Sequence, residues 1–330
     1  MEGVVVVGVF KIIRIFSVFI AILFVNSVYA SQSGDLLVAM EAGKCVPQAE
    51  QLHKMALAGD ALSQLAFGQA ANKNLCRVVE LGKEFSFYWY RKSAEQGNSI
   101  AQAALGTYLA TSGIRKDEEE SLIWYQRAAD QDNADGKFGL AQLYGRHRAW
   151  SKIIPHNNEL ALKLYHEAAS QDHELSYFVL SQIYDKGSNG VEKDDAVAAY
   201  WYRKSADSGS AFAQGQLAKM FQEGRGVDQS NEEARRWYGK SAALGNTYAQ
   251  TSLAKMYRDG SGGIKDEGKA LQLFLKSAEE GESNAQFELG RIYLLGLSGV
   301  PQNRSKAEYW FAKSAEKWHS LAIKELESFR

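Results

Sequence analysis

Histidine is the first residue type to consider for chemistry, because it can ligate a metal or exchange protons near neutral pH. The chain has six histidines among 330 residues, and His166 and His173 are seven apart, which would place them on one face of a continuous helix. Asp172 is expected to stop a helix between them, and neither a cysteine nor a third ligand stands nearby, as a zinc site would require. The sequence therefore predicts no metal site and no cofactor.

Motifs of nucleophilic and phosphate-handling enzymes are missing from the sequence. It contains no Gly-x-Ser-x-Gly, no Walker loop and no His-Glu-x-x-His. Ser151-Lys152 keeps only a truncated form of the Ser-x-x-Lys motif of penicillin-binding enzymes. A nucleophile needs a positioned base, and no such pair is recognisable. We predict a non-enzymatic protein with no catalytic residues.

The two cysteines, Cys45 and Cys76, are placed symmetrically about an expected turn. Gly59 is expected to end one helix, and Asp60 stands near the start of the next. Equal distances from the turn would put the cysteines side by side in an antiparallel helical hairpin. In an oxidising compartment they could form a disulfide that closes a loop of about 30 residues and stabilises by roughly 3 to 4 kcal/mol. Two free thiols are the alternative.

The most informative feature is a Trp-Tyr-x-x-Ser/Ala-Ala signature that returns at a nearly constant interval. The alanines that close successive copies, from Ala56 to Ala315, are 35 to 40 residues apart. A period of this length is typical of stacked helical repeats. We expect the tryptophans to pack in the repeat core rather than to form a row that stacks on carbohydrate. The copies that keep the tryptophan contain Trp89, Trp124, Trp201, Trp237 and Trp310.

Helix-start and helix-stop residues recur in phase with this signature. N-cap residues or glycine stand seven positions before each tryptophan or its substitute, at Gly82, Asp117, Asn157, Asp194, Ser230, Asp266 and Asn303. Asp117 with Glu120, and Ser230 with Glu233, match the capping box. Helix stops stand three residues after each closing alanine, at Gly59, Gly97, Asp132, Asp172, Gly209, Gly245 and Gly281.

An earlier helix in each repeat carries Ala-Gln-x-x-Leu-Gly/Ala. Glycines follow it at Gly187, Gly224, Gly260 and Gly296, where the left-handed conformation would end the helix. Each repeat therefore holds two helices. We predict an all-α fold: an α/α solenoid, or superhelix, of about seven helix–turn–helix repeats with a concave and a convex face.

These residues resemble the Sel-one-like repeat family, a relative of the tetratricopeptide repeat. The best match runs from Ala213 to Gly245, with Gly224-Arg225-Gly226-Val227 as its loop. The resemblance implies a scaffold or adaptor that binds protein partners and regulates or assembles a system of the cell envelope. The alternative is a scaffold of an exopolysaccharide synthesis or export complex, for which polysaccharide is the partner. A third hypothesis is a β-lactamase-like hydrolase, an activity sometimes attributed to cysteine-rich relatives. The lack of a nucleophile with a positioned base speaks against it.

The N-terminal segment stands outside the repeats. Lys11 and Arg14 precede the apolar run Ile15–Val25, which has the length of a signal-peptide core and is shorter than the roughly 20 residues of a membrane span. We predict cleavage after Ala30 and a periplasmic or secreted protein with a signal peptide. An uncleaved signal anchor that includes Val4–Phe10 is the alternative, and only then would the chain contact the membrane.

The predicted organisation is a signal segment at 1–30, N-terminal capping helices at 31–58, the repeat array at 59–318 and a C-terminal capping helix at 319–330. The 38 lysines and arginines nearly balance 39 aspartates and glutamates, so the net charge of −1 gives no basic bias for nucleic acid.

An irregular loop at 146–156 replaces the usual glycine turn and is a candidate partner contact. Loops on rigid scaffolds often carry function. A tolerated insertion is the alternative, and the concave groove is the other candidate surface. The contact residues predicted in the loop are Arg146, His147, Arg148, Trp150 and Lys152.

Overall fold

The structure is a computed structural model that describes residues 33–41, 46–73, 75, 82–112, 114–145 and 154–329. Its regular structure in these ranges is helical, without strands, and none of the helices there combines the length and apolar character needed to span a membrane. Residues 33–41 are helical. The chain divides into two compact units, Met1–Gln171 and Asp172–Arg330.

The described residues of the first unit form seven further helices. They are α1 (Val46–Leu57), α2 (Ala61–Asn72), α3 (Gly82–Glu95), α4 (Ser99–Thr111), α5 (Arg115–Asp130), α6 (Ala134–Gly145) and α7 (Asn158–Ala169).

The second unit continues the alternation of first and second repeat helices and closes with α16. Its helices are α8 (Glu174–Lys186), α9 (Asp195–Asp207), α10 (Ala211–Glu223), α11 (Asn231–Ala243), α12 (Thr247–Asp259), α13 (Glu267–Glu279), α14 (Ser283–Leu295), α15 (Arg304–Ala315) and α16 (Ser320–Glu327).

The turn that joins one repeat to the next uses a left-handed residue followed directly by an N-cap. The predicted stops are confirmed: Gly97 and Gly245 have φ of 91° and 85°, and Asp132 has φ of 61°. The following residue caps the next helix. Asn98 and Asn246 each accept a hydrogen bond from the backbone N–H three residues later, at 2.9 Å. The residue that ends one helix and the residue that caps the next are therefore adjacent in the chain.

Most predicted caps of the second helices are correct. Side chains of Asn157, Asp194, Ser230, Asp266 and Asn303 accept bonds from the first turn of the helices that follow them. The prediction for Asp117 is wrong: α5 begins at Arg115, so Asp117 lies inside its first turn, where its charge still complements the helix dipole. Gly82 is likewise the first residue of α3 rather than its cap.

A buried glutamine ties several of the turns to the helix before them. In four repeats its amide donates to the carbonyl of the closing alanine eight residues earlier, at 3.0 to 3.2 Å, from Gln64, Gln102, Gln214 and Gln286. In the first unit a second glutamine extends the tie to the next repeat. Gln96 donates to Gln64 Oε1 and Gln131 donates to Gln102 Oε1, both at 2.8 Å. We call these paired side chains the glutamine ladder.

A buried serine joins the two helices of one repeat. The hydroxyl of Ser241 on α11 donates to the carbonyl of Ala211, the first residue of α10, at 2.6 Å. Ser277 and Ser314 make the same bond to Thr247 and Ser283. Since these serines are fully buried, the bond satisfies a polar group that would otherwise be costly to bury.

The loop glycine Gly226 has a steric reason for its identity. Its φ is 66°, and a Cβ there would lie 1.9 Å from the backbone oxygen of Asp195 at the start of α9. Only glycine allows this loop to close on the preceding second helix.

Candidate partner-binding surface

Three large apolar side chains lie exposed at equivalent positions of the second unit. Leu175, Phe212 and Tyr248 are each the second residue of a repeat's first helix, and they are 59%, 42% and 42% exposed. The N-caps that precede these helices fix the position of this residue in every repeat. We call this row the apolar ladder.

Two pockets lie between the steps of the apolar ladder. The first, of about 400 Å³, is lined by Leu175, Phe178 and Phe212 together with the turn 208–210. Phe178 and Phe212 meet edge to face with ring centroids 5.4 Å apart. The second pocket, of about 290 Å³, is lined by Phe212 and Tyr248. Gly215 lines it as well and leaves room where Phe178 fills the equivalent place one repeat earlier.

Positive side chains stand beside this row. Lys219, which lines the second pocket, is the ninth residue of α10, and Lys255 and Arg291 are the ninth residues of α12 and α14. Their side chains are 40%, 40% and 45% exposed. We call these three residues the basic row. Three of the four first helices in this unit therefore offer an apolar group near their start, three offer a cation near their middle, and α10 and α12 offer both.

The first unit has a pocket of different character. It encloses about 670 Å³ and is lined largely by polar side chains of α2 and α4, including Gln69, Asn72, Thr107 and Tyr108. Tyr90 also lines it, and burial raises the pKa of its hydroxyl to about 12, so this group stays neutral in the physiological range. Ile100, equivalent in position to Phe212, is the exposed apolar residue here.

Comparison with known sequences decides the family. The family model described as Sel1 repeat matches residues 83–98, 99–133, 134–173, 175–210, 211–246, 247–282 and 283–317. This chain belongs to the Sel1 repeat family. Its predicted all-α solenoid is thereby confirmed, and Sel1 repeats generally mediate protein–protein interaction as non-catalytic scaffolds. No curated protein matches the chain.

Two solved structures resemble this Sel1 repeat protein over most of its length. A protective antigen present in uropathogenic Escherichia coli strains, which displays an SLR fold, is 30% identical with a TM-score of 0.70. The alignment covers 85% of this chain and 67% of that one. A Sel1 repeat protein from Oxalobacter formigenes is 28% identical with a TM-score of 0.61, and the alignment covers 78% of this chain and 96% of that one.

The signature tryptophans divide into two groups. Trp89, Trp124 and Trp237 are buried, with 2% to 6% exposure. Trp201 and Trp310 are only partly buried; Trp201 stacks on Tyr177 at 5.8 Å, and Trp310 packs against the cluster around Phe274 and Leu289. All five therefore contact repeat side chains, but the last two keep part of their rings at the surface.

The histidines, cysteines and loop residues considered in the sequence analysis are not brought together in one site in the part of the chain that the structure describes. His173 caps α8, because its Nδ1 accepts the N–H of Ser176 at 3.2 Å, while His166 lies half-buried on α7. Cys45, Cys76 and the loop residues Arg146, His147, Arg148, Trp150 and Lys152 lie outside the described residues.

Sequence reasoning missed the apolar ladder. A signal for it exists: Phe212 and Tyr248 stand directly before the Ala-Gln motif, at a position that faces away from the core in a helix with that register. Aligning the repeats on Ala-Gln, instead of on the tryptophan, brings out the recurring apolar residue.

Proposed function

We propose that this Sel1 repeat protein is an exported, non-enzymatic adaptor that binds a protein partner through the apolar ladder and regulates or assembles a system of the cell envelope. The observation that carries the proposal is the exposure of Leu175, Phe212 and Tyr248 with a pocket on either side of Phe212. Exposed large apolar side chains that line pockets mark interaction sites more often than scattered ones do.

The test is affinity purification from the envelope fraction with matched variants. The variant L175A/F212A/Y248A removes the ladder, and Y200A/Y309A removes two exposed aromatic residues from second helices of the same unit. We expect the first variant to lose partners that wild-type protein and the second variant retain. Equal recovery by all three proteins would contradict the proposal. Binding to a glycan array without any protein capture would favour the polysaccharide-associated scaffold instead.

Export is proposed from the apolar run Ile15–Val25 and the residues around Ala30. The proposal predicts a periplasmic or secreted protein whose N-terminal residue is Ser31, with Cys45 and Cys76 joined in a disulfide. Cell fractionation, N-terminal sequencing and mass spectrometry after alkylation without reductant measure these three properties. Full-length protein in the cytosol with two alkylated cysteines would exclude export.

The loop at 146–156 is a second proposed contact. Its arginines and tryptophan are residue types enriched where partners are bound. Deleting 146–152 and repeating the purification measures its contribution, and unchanged recovery of every partner would assign binding elsewhere.

A further inference from the structure

The apolar ladder and the basic row share α10 and α12, the ladder begins one first helix earlier on α8, and the row ends one first helix later on α14. We infer that the partner contributes an acidic segment whose apolar side chains fill the ladder pockets while its carboxylates face the basic row. This inference rests on the proposed function, because it specifies what the same surface binds.

The first step is the shared geometry of the two rows. Lys219 lines the same pocket as Phe212 and Tyr248, so an apolar group seated there has an ammonium group within its surroundings. Lys255 and Arg291 repeat the position of Lys219 at intervals of 36 residues on α12 and α14. A segment running along the repeats would meet these cations in succession.

The second step concerns which charges a partner can reach. The carboxylate of Glu288 is only 9% exposed and is shared by Lys255, Arg258 and Arg291, at 3.4, 2.8 and 3.6 Å. This buried carboxylate is therefore the ion-pair partner shared by Lys255 and Arg291, which are 40% and 45% exposed, and Arg258 pairs with Asp259 as well. The positive groups are open to an incoming ligand while their shared counter-charge is not.

The third step concerns the carboxylates at the ends of α10 and α12. Glu223 and Asp259 end their helices and lie beside arginines: Arg225 is 3.2 Å from Glu223, and Arg258 is 2.8 Å from Asp259. Arg225 is also bound by Asp185 and Asp195, at 2.8 and 3.0 Å. Lys219 has only a distant partner, with its ammonium group 3.8 Å from Glu223. Exposed cations thus stand near the middle of these helices, whereas the carboxylates that pair with them lie at the helix ends or are buried.

Glu174 indicates where along the first helices the acidic residues of the bound segment lie. It is exposed and lines the pocket of Leu175 and Phe178, where it disfavours a partner carboxylate. Acidic residues of the partner are therefore expected to lie toward the middle of the helices, with apolar residues above Leu175 and Phe212. Complementary charge of this kind contributes to orientation and association rate.

The experiment selects random peptides of about 12 residues, displayed on phage, against the folded full chain. Recovered peptides are synthesised with a fluorescent label, and their dissociation constants are measured by anisotropy. The variant K219Q/K255Q/R291Q removes the basic row, and K204Q/K276Q/K313Q removes three lysines from second helices of the same unit. Both variants change the net charge by the same amount, and melting curves check that both remain folded.

The expected result is enrichment of Asp and Glu together with Leu, Phe, Tyr or Trp. Affinity should fall about tenfold in K219Q/K255Q/R291Q, should change little in K204Q/K276Q/K313Q, and should weaken when sodium chloride is raised from about 50 to about 500 mM. L175A/F212A/Y248A should abolish binding.

Other outcomes separate the two proposals. Peptides that require the apolar ladder but are neutral or basic, and bind K219Q/K255Q/R291Q normally, overturn the inference about charge and leave the proposed function standing. A selection without any ladder-dependent peptide overturns both. Competition by polyglutamate or alginate that is equally strong in the ladder variant would show a general polyanion site and would also overturn the inference.

Discussion

The ammonium group of Lys137 donates a hydrogen bond to the carboxylate of Asp132 at 2.5 Å, five residues earlier in the chain. Asp132 occupies the left-handed stop that is glycine in five other turns, and Lys137 occupies the place of the buried glutamine. Turns with glycine at the stop carry glutamine five residues later: Gly59/Gln64, Gly97/Gln102, Gly209/Gln214, Gly245/Gln250 and Gly281/Gln286. Aspartate at Asp172 is likewise matched, by the hydroxyl of Tyr177 at 2.6 Å. The residue at the stop and the residue five positions later therefore vary together from turn to turn.

This pairing predicts non-additive substitutions. Asp132→Gly leaves the largely buried Lys137 with Glu167 as its charge partner, at 3.3 Å, and Lys137→Gln leaves a left-handed aspartate without its cation. The double variant restores the glycine–glutamine pair, in which the amide reaches the carbonyl of the closing alanine in four of the five turns that have it. We expect the double variant to be more stable than the sum of the single effects implies. Thermal unfolding of all four proteins measures the coupling, and additive shifts in Tm would contradict it.

The same pair predicts a difference in acid sensitivity. The hydrogen bond and charge of Lys137 lower the pKa of Asp132 below its ordinary value. A carboxyl group with a lowered folded-state pKa stabilises the fold above its unfolded-state pKa of about 3.9 and loses that effect as the pH falls through the folded-state value. We expect the stability of wild-type protein relative to D132G/K137Q to decrease below about pH 4. Denaturant unfolding at pH 6, 4 and 3 measures this, and a pH-independent difference would exclude the linkage.

Leu244→Gln is predicted to extend the glutamine ladder into the second unit. Leu244 is the C-cap of α11, the position that Gln131 occupies after α5, and it is 58% exposed. The Oε1 atom of Gln214, one repeat earlier, is buried without a hydrogen-bond partner. A glutamine at 244 can donate to it and should raise the free energy of unfolding by about 0.5–1.5 kcal/mol. Leu244→Ala is the control, and an equal effect of both changes would show that no bond forms.

Trp318→Gly is predicted to stabilise the chain. Trp318 stands at a stop position with φ of 61°, where the left-handed backbone conformation is unfavourable for a residue that has a β-carbon. Its side chain is 87% exposed, so burial of the ring offsets little of that strain. Glycine relieves that cost and should raise stability by about 0.5–1 kcal/mol, net of its greater freedom in the unfolded chain. Trp318→Ala keeps the β-carbon and should gain nothing. A loss of stability in both variants, measured with denaturant, would reveal a contribution from the indole ring.

Trp237→Ala tests the core of the second unit. Trp237 is 2% exposed and packs in the cluster that contains Tyr202, Met220 and Leu253. Truncation of a buried aromatic residue typically costs about 3–5 kcal/mol. The same change at the partly buried Trp201 should cost less. Calorimetry of both variants measures the order, and an unchanged melting curve for Trp237→Ala would refute its place in the core.

Sequence reasoning reached the helices and their ends because the determinants are local. Left-handed stops such as Gly97 and caps such as Asp194 depend on a few neighbouring residues, and repetition amplifies the signal. Asp117 was misassigned because α5 begins at Arg115, after a cap at Ile114 that makes no side-chain bond. A helix that starts without a capping side chain has no N-cap residue type by which its first residue can be predicted.

What the sequence did not reveal depends on register between helices. The glutamine ladder joins residues 29 to 32 apart, and Gln96 meets Gln64 only because two repeats stack in one particular phase. The apolar ladder was missed for a different reason. Its residues become apparent only when the repeats are aligned on Ala-Gln, because Phe212 and Tyr248 stand directly before that motif.

The bonds of the buried glutamines and serines span 8 and 30 to 32 residues, which is less than one repeat length of 36. A stretch such as 247–282 contains the bond from Ser277 to Thr247, the stop Gly281 and the residue Glu282 that caps the next helix. In-frame duplication or excision of such a stretch would keep these elements in every remaining repeat, so the gene can change in whole steps of one repeat.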